Sequence, residues 1–440
     1  ASPALDERAR ELFNQHAAAL WVEPQALSEA CSLFALRAGR VRERDNPLAR
    51  RQPALPVQPE LHFHDRPCSP MSALDRYFVD LVRANPQLRP RVGNPDELAS
   101  NRLGGVLAAL KHRVSQPESE LESLHGAVIT ALNEEAVVSA CLANQGGLNL
   151  VASYEAFCVK MLGAVRQSLI FARQQKEAGR PAGWLGWPLV ATSHTWENGK
   201  NQQSHQDTTF CEALLGEMHD VMRVLLPADH NSLLALLPGI YQERGRLACL
   251  VVAKREQPCS FTVEQAQQLA REGALLVDAE GDGEPVLLIA SGSYQLNEMR
   301  RAAVRLSKQA VAWRLIYLQE PGRFRMPRDA WEASNVASAA QREALFPIAC
   351  RRRVLLGHMR PEVALGHLST VLGDAATCRA LGYRNRGGTF DEAGMLFANG
   401  CTWAHVLQSV GEVLGVSIDA WLTVEERAAL AGRGNPLSLR

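Results

Sequence analysis

Trp187-Pro188-Leu189-Val190-Ala191 runs straight into Thr192-Ser193-His194-Thr195-Trp196-Glu197-Asn198-Gly199-Lys200-Asn201-Gln202-Gln203-Ser204-His205-Gln206-Asp207. The first five residues read as a buried strand. The sixteen that follow are polar and supply two histidines, a lysine, a tryptophan and a row of amides. A polar loop on the end of a buried strand is where α/β proteins place their ligands. The same loop would serve equally as a solvated connection, and composition alone leaves both readings open.

Outward from this loop the apolar pattern alternates between strand and helix. Downstream, Asp220–Pro227 reads as a strand, His230–Tyr241 as a helix and Leu247–Ala253 as a buried strand. Upstream, Ser72–Asn85 carries Leu74, Tyr77, Phe78, Leu81 and Val82 on one helical face, and a short strand Arg89–Asn94 follows. Residues 118–143 and Val151–Ala164 read as helices. From Pro285 the alternation resumes, with strands at Val286–Ala290, Trp313–Leu318 and Arg353–Leu356. Helices fall at Gln295–Lys308 and Arg328–Phe346, and a helix with a polar tail fills Val416–Arg440. The N-terminus offers an amphipathic helix, Asp6–Leu20, and then an arginine- and proline-rich stretch, Arg37–Pro59, that reads as an extended arm. The expected fold is α/β, with two parallel-sheet domains after a helical and Pro/Arg-rich arm. The expected boundaries are 1–55 for the arm, 56–275 for the first α/β domain and 276–440 for the second.

Charge narrows the function. Lys+Arg and Asp+Glu both number 47, so the net charge is zero. That argues against a general nucleic-acid or anionic-membrane binder. The ten cysteines are scattered without a Cys-x-x-Cys pair, as expected of reduced thiols in a cytoplasmic protein. No apolar run reaches membrane-spanning length.

Several residues carry chemistry. Ser100 and Arg102 stand together in the loop after Arg89–Asn94; a hydroxyl beside a guanidinium fork suits an oxyanion, and the same loop also fits an N-capped helix start. Glu134 and Glu135 sit among Val128, Ile129, Leu132, Val137 and Val138, where a buried carboxylate needs a partner and an exposed one needs nothing. Tyr154 and Phe157 read as core aromatics by default. His62-Phe63-His64 has the spacing of two ligands on a strand, but no further ligand stands near it, so no metal site is expected. Gly281-Asp282-Gly283 leads directly into a strand and reads as a turn.

Four of these stretches, taken together, resemble the bacterial phosphoketolases. Ser193-His194-Thr195-Trp196 with Ser204-His205-Gln206-Asp207 is similar to that family's Ser-His-Val-Trp and Ser-His-Gln-Asp. Pro95-Asp96-Glu97-Leu98-Ala99-Ser100-Asn101-Arg102-Leu103 resembles its Pro-Asp-Glu-Thr-x-Ser-Asn-Arg-Leu. Leu132-Asn133-Glu134 and Ser153-Tyr154-Glu155-Ala156-Phe157 resemble its Leu-Ser-Glu and Ser-Tyr-Glu-x-Phe. They occur in the family's order at near-family spacing. The resemblance implies a thiamine-diphosphate enzyme that cleaves ketose phosphates. It implies that Glu134 hydrogen-bonds the aminopyrimidine ring of the cofactor, with Phe157 stacked on it and Tyr154 lining the site. It implies that Ser100, Arg102 and His205 bind phosphate, with Lys200 and Asn201 at the family's His-Asn pair and Lys254 or Arg255 at its lysine. Catalytic roles then fall to Glu134, His205 and Lys200.

The chain departs from the family at four points. Glu135 replaces a histidine, and Lys200 replaces a histidine, keeping positive charge but not a proton shuttle near neutral pH. The Gly-Arg-His-Gly before Ser153 is missing, and Gly281-Asp282-Gly283 lacks the downstream Asn of a diphosphate motif. The resemblance covers the family's middle and C-terminal domains. It implies that Mg2+ and the diphosphate are held by a separate partner subunit in a heteromer that also self-associates. Two alternatives stand beside this reading: transketolase-like ketol transfer to a sugar or carrier protein, and a non-catalytic scaffold.

Overall fold

The computed structural model describes residues 3–43, 52–96, 98–180 and 182–440. It resolves into two units, 1–52 and 53–440. The first holds two helices, Pro3–Ala19 and Pro24–Glu43, with Phe13, Leu20, Trp21 and Leu33 exposed. The second helix continues into the stretch expected to be an extended arm; residues 44–51 of that stretch lie outside the described residues.

The second unit is built on two sheets. In chain order, the strands of the first are β1 (Arg89–Asn94), β2 (His112–Arg113), β3 (Glu122–Ser123), β4 (Val128–Thr130), β5 (Gly147–Tyr154), β6 (Trp187–Thr192), β7 (Met222–Leu225) and β8 (Leu247–Val251). They lie in the order β3-β2-β4-β1-β5-β6-β8-β7, all parallel. The second sheet holds β9 (Ala274–Glu280), β10 (Val286–Ser291), β11 (Trp313–Leu318), β12 (Arg353–Gly357) and β13 (Cys378–Leu381), in the order β13-β12-β10-β11-β9. It is parallel except at the β9 edge, which runs antiparallel to β11.

The central strands are buried on both faces. β5, β6 and β8 present Leu148, Leu150, Val151, Leu189, Val190, Cys249 and Leu250, all nearly inaccessible. Covering both faces with helices makes such strands continuous apolar runs without alternation. This explains the misreading of Val151–Ala164 as one helix. Its first residues finish β5, and the chain then passes through Glu155–Cys158 and a 3-10 turn, Val159–Met161, into the helix Leu162–Glu177.

The helix expected across 118–143 is confined to Glu134–Leu142. The β-branched run Val128-Ile129-Thr130 forms β4 instead. Gly126 precedes it where the chain passes against the backbone of His112; a Cβ there would lie 2.4 Å from the His112 carbonyl oxygen. Asn133 then caps the helix, its side chain accepting from Ala136 N. The helix expected over Arg328–Phe346 is two short ones, Ala330–Ala333 and Ala339–Leu345, capped by Asp329 and Ser338.

Residues 53–59, the end of the stretch read as an arm, and the residues that follow them pack on the first sheet's helices. The Asn85 side chain brackets Val57, accepting from its N–H and donating to its carbonyl, both at 2.8 Å. His64 is tied down in the same way: its ring stacks on His230 at 3.9 Å, and its carbonyl accepts from His230 Nε2 and Asn231 Nδ2. His64 of the His-x-His pair is therefore a structural pin.

Candidate active site

Parallel strands deliver their following loops to one edge of the sheet, and this chain places its polar motifs on five neighbouring ones. β4 leads to Glu134, β1 to Ser100 and Arg102, β5 to Tyr154 and Phe157, β6 to the 193–207 loop and β8 to Lys254 and Arg255. The register keeps these strand ends level: Gly93 pairs with Ile129 and Val151, Val151 with Leu189, and Leu189 with Cys249.

The side chains converge. The Tyr154 and Phe157 rings lie 6.1 Å apart, and the His205 ring stands edge-on to Phe157 at 4.7 Å. Ser100 Oγ lies 3.4 Å from the Tyr154 hydroxyl. Lys254 Nζ sits 5.3 Å from the Tyr154 ring centre. Glu134 is buried at the start of its helix, and Lys160 Nζ approaches it at 3.3 Å while lying 5.0 Å from the Phe157 ring centre. Ser204 Oγ is 2.9 Å from His205 Nδ1, which orients that ring. A cavity of about 300 Å³ opens between Arg102, Tyr154, Ser193, Asn201 and Lys254, with Glu197, Asn198 and Arg255 completing its wall. The side chain of Lys200 lies outside the described residues.

The backbone is contorted around this cavity. Arg102, Ser193 and Gln202 have φ of 63°, 42° and 63°, in the left-handed region that non-glycine residues avoid. Such conformations cost on the order of 1–3 kcal/mol each and persist only where surrounding contacts impose them.

Those contacts come from beneath and from the second sheet. Thr192–Asn198 is buried, so this part of the loop is not a solvated connection. Glu155, fully buried under it, accepts from Thr195 N at 2.9 Å and from His358 Nε2 at 2.7 Å. Burial alone would raise the Glu155 carboxyl; the His358 ring outweighs this and holds it below its ordinary range. Burial pushes the neighbouring His194 down. Glu155, His358 and Cys211 bring ligand-type atoms within 4.8 Å of one another, and the same groups are joined by hydrogen bonds. Tyr383 donates to Gln206 O at 2.7 Å, and Gln206 Nε2 donates to Gly388 O at 3.0 Å. The segment 382–389 therefore braces the loop that carries His205.

Sequence reasoning missed three residues here. Lys160 lies three positions after Phe157, so helical spacing could have revealed it. Glu197 stands in the quoted loop but matches no motif. Tyr294, whose hydroxyl donates to Glu197, lies on the helix Ser293–Ser307 beside the second sheet, and no local pattern connects it to a residue almost a hundred positions earlier.

Glu134 and Phe157 fit an aminopyrimidine ring: a buried carboxylate for hydrogen bonding stands near a partly open aromatic face, with Lys160 in contact with both. The diphosphate half has no counterpart at Gly281-Asp282-Gly283, an exposed turn between β9 and β10.

The chain is similar to known proteins in sequence and in fold. Residues 72–243 match the family model of D-xylulose 5-phosphate/D-fructose 6-phosphate phosphoketolase. A "probable phosphoketolase" of Lactococcus lactis is 27% identical over 290 residues, 63% of this chain and 35% of that protein. The xylulose-5-phosphate phosphoketolase of Lactiplantibacillus pentosus is 28% identical over 240 residues, 52% of this chain and 30% of that protein. The chain thus spans about a third of the length of the curated relatives it matches. Among solved structures, transketolase from Leishmania mexicana superposes with a TM-score of 0.62 at 18% identity, over 81% of this chain and 47% of that one. A split-gene transketolase, described as an inactive β4 tetramer, superposes with a TM-score of 0.52 at 14% identity, over 79% of this chain and 99% of that one. No helix among the described residues is long and apolar enough to cross a membrane. Residues 72–243 thus resemble the phosphoketolases in sequence, and the chain has a transketolase-like α/β fold.

Proposed function

We propose that this chain supplies the pyrimidine-binding and phosphate-anchoring half of a thiamine-diphosphate-dependent, phosphoketolase-like enzyme. Its substrate class is a ketose phosphate, whose two-carbon unit passes to phosphate or another acceptor. The observation that carries this reading is the convergence of Glu134, Tyr154, Phe157, Ser100, Arg102, His205 and Lys254 at one edge of a parallel sheet. The Mg2+ and diphosphate ligands come from another polypeptide. The exposed position of Gly281-Asp282-Gly283 supports this, as does the likeness to a split-gene transketolase.

Bound thiamine diphosphate supplies the carbanion chemistry. This chain's residues do the rest. Glu134 hydrogen-bonds the aminopyrimidine, and its burial protects that bond from competing water. Phe157 offers a stacking face worth about 0.5–1.5 kcal/mol beyond buried area. Ser100, Arg102, His205 and Lys254 anchor the sugar phosphate through a hydroxyl, a guanidinium fork, an imidazole and an ammonium, with Lys200 and Asn201 on the same loop. Holding the phosphate end orients the carbonyl end, so the reaction becomes effectively unimolecular.

The test is purification of the tagged chain from its native host, with mass spectrometry of co-purifying proteins and assay of bound thiamine diphosphate. A stoichiometric partner, with cofactor retained only in the complex, is the expected result. A homomeric chain that never holds the cofactor would sink the proposal and favour the scaffold. The transketolase-like alternative rests on the fold shared with transketolases. Product analysis separates the two: acetyl phosphate marks phosphoketolase chemistry, a ketol adduct the other.

A further inference from the structure

A carboxylate in the wall of an anion cavity is electrostatically misplaced unless its oxygens are otherwise engaged. Glu197 is such a carboxylate, and it is buried. One of its oxygens accepts from Lys254 N at 2.8 Å. The other accepts from Arg255 N at 3.0 Å and from the Tyr294 hydroxyl at 2.9 Å. Tyr294 lies on the helix Ser293–Ser307, which packs on the second sheet, and Gln257 Nε2 donates to the same hydroxyl at 3.1 Å. The Arg255 guanidinium forms an ion pair with Glu392, from the helix Glu392–Ala398 that follows the second sheet. Arg255 is tied to the second sheet's helices, whereas Lys254 leans over Tyr154 within the cavity.

We infer that Glu197 is a positioning residue that, with Tyr294 and Glu392, sets the Lys254–Arg255 turn so that Lys254 presents its ammonium to a phosphate-class anion while Arg255 acts as a strut. The inference rests on reading the cavity as a sugar-phosphate site. It brings the second sheet into anion recognition. The carboxylate is chemically required. It accepts at three points, whereas a glutamine would place an N–H₂ against one of the backbone donors.

The experiment is calorimetric titration of the full chain with inorganic phosphate, in parallel with thermal unfolding. Saturable binding by the parent chain is expected. Lys254→Gln and Glu197→Gln should each weaken it by about tenfold, the loss of a charge-assisted contact or of its support. Tyr294→Phe, which removes one hydroxyl, should weaken it by about threefold without lowering the unfolding temperature by more than a few degrees. Arg255→Gln should stay within about twofold of the parent, because its guanidinium is held at Glu392 and the backbone N–H that anchors the turn remains. Parent-like phosphate affinity in Tyr294→Phe and Glu197→Gln, beside a loss in Lys254→Gln, would overturn the relay and leave the anion site standing. A loss in Arg255→Gln as large as that in Lys254→Gln would overturn the division of labour. Absence of saturable phosphate binding by the parent chain would remove the anion site and the relay together. If Glu197→Gln fails to fold, Tyr294→Phe still decides.

Discussion

Glu320 and Glu134 are both buried carboxylates facing a cation, one after a strand of the second sheet and one after a strand of the first. Glu320 sits in the seam between the two sheets. Arg223 grips it with two hydrogen bonds, at 2.7 and 2.9 Å, and both side chains are nearly inaccessible, at 1% and 7% exposure. The seam is also stitched by backbone: Leu226 N donates to Gln319 O at 2.9 Å. Glu134 faces the open edge of the first sheet. Its partner Lys160 makes one contact at 3.3 Å from a stem that is 60% exposed. A planar, buried fork holds its carboxylate in one geometry, whereas a solvated ammonium on a flexible stem yields to a competing ligand. The seam is built to stay closed and the edge to be occupied.

The hardest test of that contrast is Arg223→Met. It strands a buried carboxylate, so a loss of about 3–5 kcal/mol in urea unfolding is expected. A loss below about 1 kcal/mol would show that the seam is not held this way. Next in size is Glu134→Gln. Partner-dependent turnover should fall by about 100-fold or more if the carboxylate takes part in proton handling. Stability should change by less than about 1 kcal/mol. Full activity in this variant would break the open-edge reading.

pH sharpens the comparison further. Burial, only partly offset by Glu320, pushes His219 down from 6.5 to about 3, so the folded seam excludes a proton that the unfolded chain accepts. Its contribution is present in full above 6.5 and declines as pH falls from there toward about 3. Glu320 acts with the same sign. Burial raises it, but Arg223 outweighs this and holds it below the ordinary carboxylate range, so its stabilisation too is lost on acidification. Stability measured against pH should therefore fall steadily below neutrality, and His219→Gln should flatten the upper part of that slope. An unchanged slope would remove His219 as its source. The smallest effect is expected of Lys160→Met, under about 1 kcal/mol, because its ion pair is largely solvated. A larger loss would mean that Lys160 is part of the fold and not a displaceable partner.

Much of this was legible in the chain. Trp187–Ala191, Leu247–Ala253, Trp313–Leu318 and the helix from His230 show themselves through apolar runs or helical spacing, because burial of one face or two writes a period into the sequence. Errors fell where that period is ambiguous. β5 and the run after it are mostly apolar without a strict alternation, and Val128-Ile129-Thr130 is too short to declare its type. The site motifs were legible as motifs. That Ser100, Tyr154, Phe157, His205 and Lys254 share one edge followed once the strands were parallel, since parallel strands send every following loop to the same side.

The sequence alone therefore determined the α/β class, the parallel first sheet and the residue types of the candidate site, because these follow from local periodicity and short motifs. Only the tertiary structure decided who holds whom. Lys160 on Glu134, Arg255 on Glu392, and Glu197 between Tyr294 and the Lys254 turn are contacts across sheets and helices. Apart from Lys160, whose place three positions after Phe157 is local, hydrogen bonds and ion pairs between distant segments leave no periodic trace in the chain. They exist only once packing has brought the segments within about 3 Å of one another.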